Sequence, residues 1–118
     1  MDTNMNEGVH AFLDCSVAHL TPKDKVLLEH WAAEEGVTYG RPIPYRTIAH
    51  KYGWIVHVRL DEAEDRKDAE AQACEEGISE TFFEVQAYAR KHGCWWINFD
   101  ADADEISGLA VWEWEDGT

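Results

Sequence analysis

"SETFFEVQAYARKHGCWWINF" covers residues 79–99 and holds the change of period that decides the fold. Ser79 suits an N-cap and Glu80 opens the first turn. Phe82, Val85 and Ala89 make a stripe at helical spacing, and Arg90, Lys91 and His92 gather before Gly93. Each choice favours a helix ending there. A hydroxyl accepts from an orphan N–H, cations oppose the negative end of the helix dipole, and glycine turns the chain out of it. The next six residues, "CWWINF", change to the dense aromatic and branched pattern of a strand. A helix handed to a strand through one glycine predicts helices packed on a sheet.

Working outward, "TPKDKVLLEHWAAEEG" (21–36) repeats the helical grammar. Thr21 is the N-cap, Pro22 the first helical residue, Leu27, Leu28, Trp31 and Ala32 the apolar stripe, and Gly36 the terminator. "GVHAFLDCSVAHL" (8–20) alternates and reads as a strand, with Ala11, Leu13, Cys15 and Val17 on one face. "WIVHVRL" (54–60) alternates in the same way. The segment 37–53, with its prolines, glycines and tyrosines, reads as a long connection with a short helical turn over Tyr45–His50. "DEAEDRKDAEAQACEEG" (61–77) holds strong helix formers but almost no apolar stripe, so it reads as an exposed helix or a charged excursion. "LAVWEWE" (109–115) reads as a final strand forming a hairpin with 94–99 across the turn-rich "DADADEISG". In it Trp112 and Trp114 face the core, while Glu113 and Glu115 join Asn98 and Asp100 on a polar face.

The expected architecture is therefore α+β. A small mixed or antiparallel sheet of about four strands carries two packed helices on one face, plus an acidic helical or loop insertion. With 118 residues and no linker or internal repeat, residues 1–118 read as a single domain.

The net charge is −14, from 24 acids and 10 bases, and it is unevenly spread. Residues 37–59 hold Arg41, Arg46, Lys51 and Arg59 with no acid, whereas 60–118 hold seventeen acids against four bases. Such a field repels nucleic acid and anionic membranes and attracts basic surfaces. Two clusters carry most of it. The first is Asp61, Glu62, Glu64, Asp65, Asp68, Glu70, Glu75 and Glu76. The second is Asp100, Asp102, Asp104, Glu105, Glu113, Glu115 and Asp116. Both are candidate partner-binding residues, with Tyr39, Tyr45 or Trp96 as apolar anchors beside the charge. Carboxylates two apart on one strand lie about 6.7 Å from each other, whereas duplex DNA offers a charge per about 1.7 Å of axis. Imitating a duplex therefore requires both clusters on one face, which the sequence leaves open. The basic middle segment has a simpler use, pairing with neighbouring acids.

Other chemistries fare less well. Asp100, Asp102 and Asp104 match the first ligands of a calcium loop, but Glu105 replaces its glycine and Val111 its closing glutamate. His92 with Cys94, and Cys15 with His19, lack the paired spacing of structural zinc, so no metal or other cofactor is expected. Asp14, Ser16 and His19 have triad residue types on one short strand, where alternation separates the histidine from the others. No nucleophile elbow, P-loop or dinucleotide fingerprint occurs, and catalysis is not expected. Cys15, Cys74 and Cys94 form an odd, scattered set, and no apolar run approaches a membrane span. Both features point to a reduced, cytoplasmic protein.

"CSVAHLTPKDKVLLE" (15–29), "KYGWIVHV" (51–58) and "EGISETFFEVQAYARKHGCWWINFDADADEISGLAVWEW" (76–114) resemble an uncharacterised family of small proteins from bacterial plasmids, phages and integrated elements. The family is known only as a domain of unknown function and supplies no active-site residues to carry across. The resemblance implies a setting among accessory functions of mobile elements, where anti-CRISPR and anti-restriction inhibitors occur. The resulting expectation is a small acidic inhibitor that blocks a basic nucleic-acid-binding surface on a host protein or ribonucleoprotein, without binding nucleic acid itself. The alternative is a non-catalytic interaction or toxin-neutralising module whose acidity serves solubility. A small metal- or cysteine-dependent hydrolase is a third class. The acidic stretch 61–75 is where the chain departs most from the family pattern.

Overall fold

A computed structural model describes residues 11–33, 37–38 and 41–112. In chain order these form β1 (Ala11–Ser16), a 3-10 turn (Val17–His19), α1 (Pro22–Ala33), β2 (Val37–Thr38), β3 (Arg41–Pro42) and β4 (Thr47–His50). They continue as β5 (Gly53–His57), α2 (Ala63–Glu76), α3 (Glu80–Lys91) and β6 (Cys94–Asp100). The main sheet is mixed and open, in the order β1-β6-β5-β4. β1 runs parallel to β6, and the other two pairings are antiparallel. The short β2 and β3 pair separately.

Register divides the sheet into two faces. Cys15, Phe99 and Trp54 stand side by side across β1, β6 and β5, and so do Leu13, Ile97 and Val56. These side chains pack with Leu27, Leu28 and Trp31 of α1 and with Phe82, Val85 and Ala89 of α3. Both helices therefore cover one face, as the stripes predict. Trp31, Tyr45 and Phe82 form its aromatic centre, with ring centroids 5.0–6.1 Å apart. Each fully buried ring of this kind stabilises the fold by roughly 2–3 kcal/mol before ordering costs.

Local capping follows the sequence. The Asp24 N–H donates to Thr21 Oγ1 at 3.0 Å while the Thr21 N–H donates to Asp24 Oδ2 at 2.9 Å, a reciprocal box at the start of α1. The Ser79 side chain accepts from the Phe82 N–H at 3.3 Å at the start of α3. α2 is the acidic insertion in helical form, burying only Ala69 and Ala73. Its C-cap, Gly77, has φ 107°, and Gly77 and Ile78 both donate N–H to Ala73 O at 3.0 Å.

Two expectations are corrected. The stretch Tyr45–His50 is not a helical turn, since Thr47–His50 is edge strand β4, paired with β5 from Thr47↔Val56 to His50↔Gly53. β-branched Thr47 and Ile48 suit the ladder, and Lys51–Tyr52 is a two-residue turn closing on Gly53. The segment 109–112 is not a strand either, and the remainder of the expected strand, with Trp114, lies outside the described residues. β6 already has β1 on one side and β5 on the other, so it offers no edge for a hairpin. The chain instead crosses the exit of β1. There Ser16 N–H donates to Asp104 O at 3.0 Å and Trp112 N–H to Ala18 O at 2.8 Å. Trp112 is 40% exposed rather than buried in the core.

Candidate functional surface

The first acidic cluster lies on and just before α2, on the helix-covered side of the sheet. Glu62, Glu64, Asp65, Asp68 and Glu75 are exposed, and Glu70 and Glu76 are half-buried. Asp61 and Glu76 make contacts within the fold. Asp61 binds Arg59 at 2.8 Å, and Glu76 accepts from Trp31 Nε1 at 2.8 Å and from Gln72 at 3.2 Å.

The second cluster sits where β6 ends. Asp100 projects from the other face of the sheet, and its Oδ1 accepts the Asp102 N–H at 2.8 Å, shaping the turn. Asp14, Asn98, Asp100, Asp102 and Asp104 line a cleft of about 420 Å³. Glu105 is exposed, whereas Glu113, Glu115 and Asp116 lie outside the described residues. Among the described residues no group of three or more His, Cys, Asp or Glu is arranged to hold a metal ion. The sheet stands between this cleft and α2, so the described acids form two surfaces rather than one.

The sequence marks Asn98 and Asp100 as one polar face of the sheet, the uncovered one, but not the cationic and aromatic end of that face. Register places Phe12, Trp96, His57 and Arg46 across it in one row, then Asp14, Asn98, Ile55 and Ile48, then Ser16, Asp100, Gly53 and His50. The face is thus cationic and aromatic at one end, aliphatic over β4 and β5 in the middle, and acidic at the other end. His57 and Trp96 meet edge to face at 4.8 Å. Burial first, and then Arg46 and Arg59, hold the His57 imidazole below its ordinary value. Trp31, Ile43, Arg46, Thr47, His57, Arg59 and Trp96 line a cavity of about 680 Å³ at this end of the sheet, with Trp31 and Thr47 contributed from the covered side. The expected pairing of basic residues with nearby acids holds for Arg59. Arg46 is exposed and has no ion pair among the described residues, and Lys51 Nζ lies 5.4 Å from the Tyr52 ring centre.

A hydrogen-bonded line crosses the same face. Tyr52 N–H donates to His50 Nδ1 at 3.2 Å, which leaves the His50 Nε2–H to donate to Asn98 Oδ1 at 2.8 Å. Asn98 Nδ2 then donates to Asp14 Oδ1 at 3.1 Å. The side chain of His50 can cross β5 here because Gly53 presents none. Of the proposed anchors, Tyr45 is 1% exposed and belongs to the core, Trp96 is half-buried on the open face, and Tyr39 lies outside the described residues.

The triad-like residues do not assemble. His19 is fully buried, its Nδ1–H donating to Ala110 O at 2.7 Å and its Nε2 accepting from Ile106 N–H at 2.8 Å. Neither ring nitrogen is left for Ser16, whose hydroxyl oxygen accepts from Ala18 N–H at 2.9 Å. Burial first, and then the Asp14 charge, push the Cys15 thiol up to about 12, far from a reactive thiolate. Cys94 is also buried, as the strand pattern implies.

Among the described residues no helix is long and apolar enough to cross a membrane. No curated protein and no solved structure matches the chain. A family model does match, over residues 12–114, which takes in the main sheet and its cover except for Ala11 at the start of β1. The chain belongs to the family of unknown function DUF5983, matching its C-terminal domain.

Proposed function

We propose that this domain is a non-catalytic, cytoplasmic binding module of a mobile genetic element that occupies a basic surface on a host defence protein or ribonucleoprotein. The observation that carries the reading is α2 itself. The helix is held to the body through Ala69 and Ala73, leaving Glu62, Glu64, Asp65, Asp68 and Glu75 in solvent. Residues 61–76 carry eight acids against two bases, or about one net charge per 4 Å at roughly 1.5 Å rise per residue. That density approaches a single nucleic-acid strand, at about 3.4 Å per charge, and falls well short of a duplex at about 1.7 Å. The reading is therefore charge-driven contact with a basic groove, of anti-CRISPR or anti-restriction type, without duplex mimicry by both clusters.

The open face favours a second reading. Its exposed Ile48 and Phe12, beside half-buried Trp96, suit an apolar protein contact in which acidity serves only solubility. Affinity capture from host lysate separates the two. Under the first, combining Glu64→Gln, Asp65→Asn and Asp68→Asn abolishes capture, and wild-type capture fades at several hundred millimolar salt. Capture that survives both changes but is lost with Trp96→Ala supports the second.

A further inference from the structure

We propose that the cavity at the cationic end of the sheet binds a small aromatic anion of the nucleoside monophosphate class. Arg46, His57, Arg59, Trp96 and Ile43 enclose most of its volume of about 680 Å³, and no residue lining it is an acid. That volume suits a small-molecule site and exceeds what a lone phosphate would fill. In a chain of net charge −14, a cavity walled by two arginines and no carboxylate runs against the rest of the surface.

Register sets the parts apart by a usable distance. The Arg46 carbonyl accepts the His57 N–H at 2.9 Å, and His57 stands opposite Trp96, so the three lie in one row. Two strand spacings, about 9.5 Å between backbones, separate Arg46 from Trp96. A planar ring can therefore lie on the indole while its anionic group reaches the guanidinium. Trp96 is half-buried, and His57 holds its ring edge to face at 4.8 Å. Arg46 is exposed and has no ion pair among the described residues, so its fork is open to bidentate pairing with a phosphate. Stacking on an aromatic ring tolerates every base, so the geometry selects the class rather than one base.

The rest of the wall is held in place beforehand. Buried Gln86 of α3 donates from Nε2 to His57 O at 2.9 Å, and its Oε1 accepts the Arg59 N–H at 3.1 Å. Arg59 in turn donates to Pro44 O at 3.0 Å and to Asp61 at 2.8 Å, while its buried Nε has no hydrogen-bond partner. Asp61 offsets part of the Arg59 charge, which leaves Arg46 as the main anchor. The local potential is still positive. After burial, Arg46 and Arg59 do most to lower the His57 imidazole, ahead of the opposing Asp61.

The same layout disfavours a polynucleotide. Asp14, Asp100, Asp102 and Asp104 gather at the other end of the open face and would repel the further phosphates of a strand. A short anion avoids them, because charges beyond roughly 8 Å are screened at about 0.15 M salt. This site makes no use of the α2 carboxylates and goes beyond the function proposed above.

Titration with each common ribonucleoside monophosphate at about 0.15 M salt, followed by amide and indole NMR signals, tests the proposal. At least one is expected to bind with a Kd between about 1 μM and 1 mM, shifting the Trp96 indole and His57 amide signals. Inorganic phosphate and the matching nucleoside should each bind about tenfold more weakly or worse. Arg46→Gln should weaken binding about tenfold or more with an unchanged melting temperature, since the side chain is exposed. Neutralising Glu64, Asp65 and Asp68 should not weaken it, which separates failure here from failure of the α2 reading. The proposal is overturned if no monophosphate binds at millimolar concentration, or if phosphate alone binds as tightly. It is equally overturned if Arg46→Gln titrates like the wild type, or if a short oligonucleotide binds more tightly than its monomer.

Discussion

Asp24 and Ser79 stand 55 residues apart in the chain, yet Asp24 Oδ1 accepts the Ser79 N–H at 2.8 Å and its Oδ2 accepts the Ser79 hydroxyl at 2.6 Å. The same carboxylate accepts the Thr21 N–H at the start of α1. One fully buried acid therefore closes the first turn of α1 and holds the N-cap of α3, fixing the two covering helices to each other. A charged acceptor shared by three donors is stronger than a neutral one and costly to remove.

Asp24→Ala should accordingly cost about 3 kcal/mol, since it strands two backbone N–H groups and the Ser79 hydroxyl. Ser79→Ala should cost about 1–2 kcal/mol, through loss of the cap and of one bond to Asp24. The double variant should be less damaged than the sum, with a coupling of about 1 kcal/mol or more by urea denaturation. Strict additivity would mean that the two residues act separately.

His19 should be the staple of the segment after β6. His19→Phe keeps most of the volume but leaves Ala110 O and Ile106 N–H without their partner, at a cost of about 2–4 kcal/mol. Hydrogen exchange should rise first at Ile106 and Trp112, before the central strands loosen. Uniform exchange across the sheet would contradict this local role.

Two glycines should respond differently to alanine. A Cβ on Gly53 would lie 1.8 Å from the Phe99 carbonyl oxygen, against backbone that cannot retreat without opening the β5–β6 ladder. Gly53→Ala should therefore cost about 3 kcal/mol or more. Gly93 has φ 76° and open space around it, so Gly93→Ala meets only backbone strain of about 1 kcal/mol. Thermal melts of the two variants should rank in that order.

Stability should fall at both ends of the pH scale. The fold keeps the Cys15 thiol neutral to about 12 against an ordinary 9.0, and Tyr45 is also raised, by burial first and then by the Glu70 charge. The unfolded chain ionises first, so stability is full below about pH 9 and drains as pH rises toward 12. The thiol contributes about 1.4 kcal/mol per pH unit in that window. Cys15→Val should flatten this alkaline loss.

On the acid side, His57 is held below its ordinary 6.5. The unfolded chain takes up the proton first, so this contribution is complete above about pH 6.5 and lost as pH falls beneath it. His57→Gln should reduce the slope of stability between pH 7 and 5. An unchanged slope would show that the imidazole is neutral in neither state or in both.

The sequence by itself determined the elements whose signals are local. Thr21, Pro22, Ser79 and Gly93 announce helix ends within a turn of where they act, and the alternation around Val56 and Val58 marks a buried strand face. The acidity of 61–76 likewise showed that this stretch could only lie on the surface. Tertiary structure alone decided which strands are neighbours. β6 takes β1 and β5 as partners, and that leaves 109–112 to cross the exit of β1, hold to His19 and expose Trp112. It also decided the open face, because His57, Trp96 and Phe12 come from three strands, Arg46 from the residue before a fourth, and they meet only through register. Caps and periods are set by bonds three or four residues long, whereas strand order depends on the relative burial of whole elements. No short stretch of the chain records that comparison.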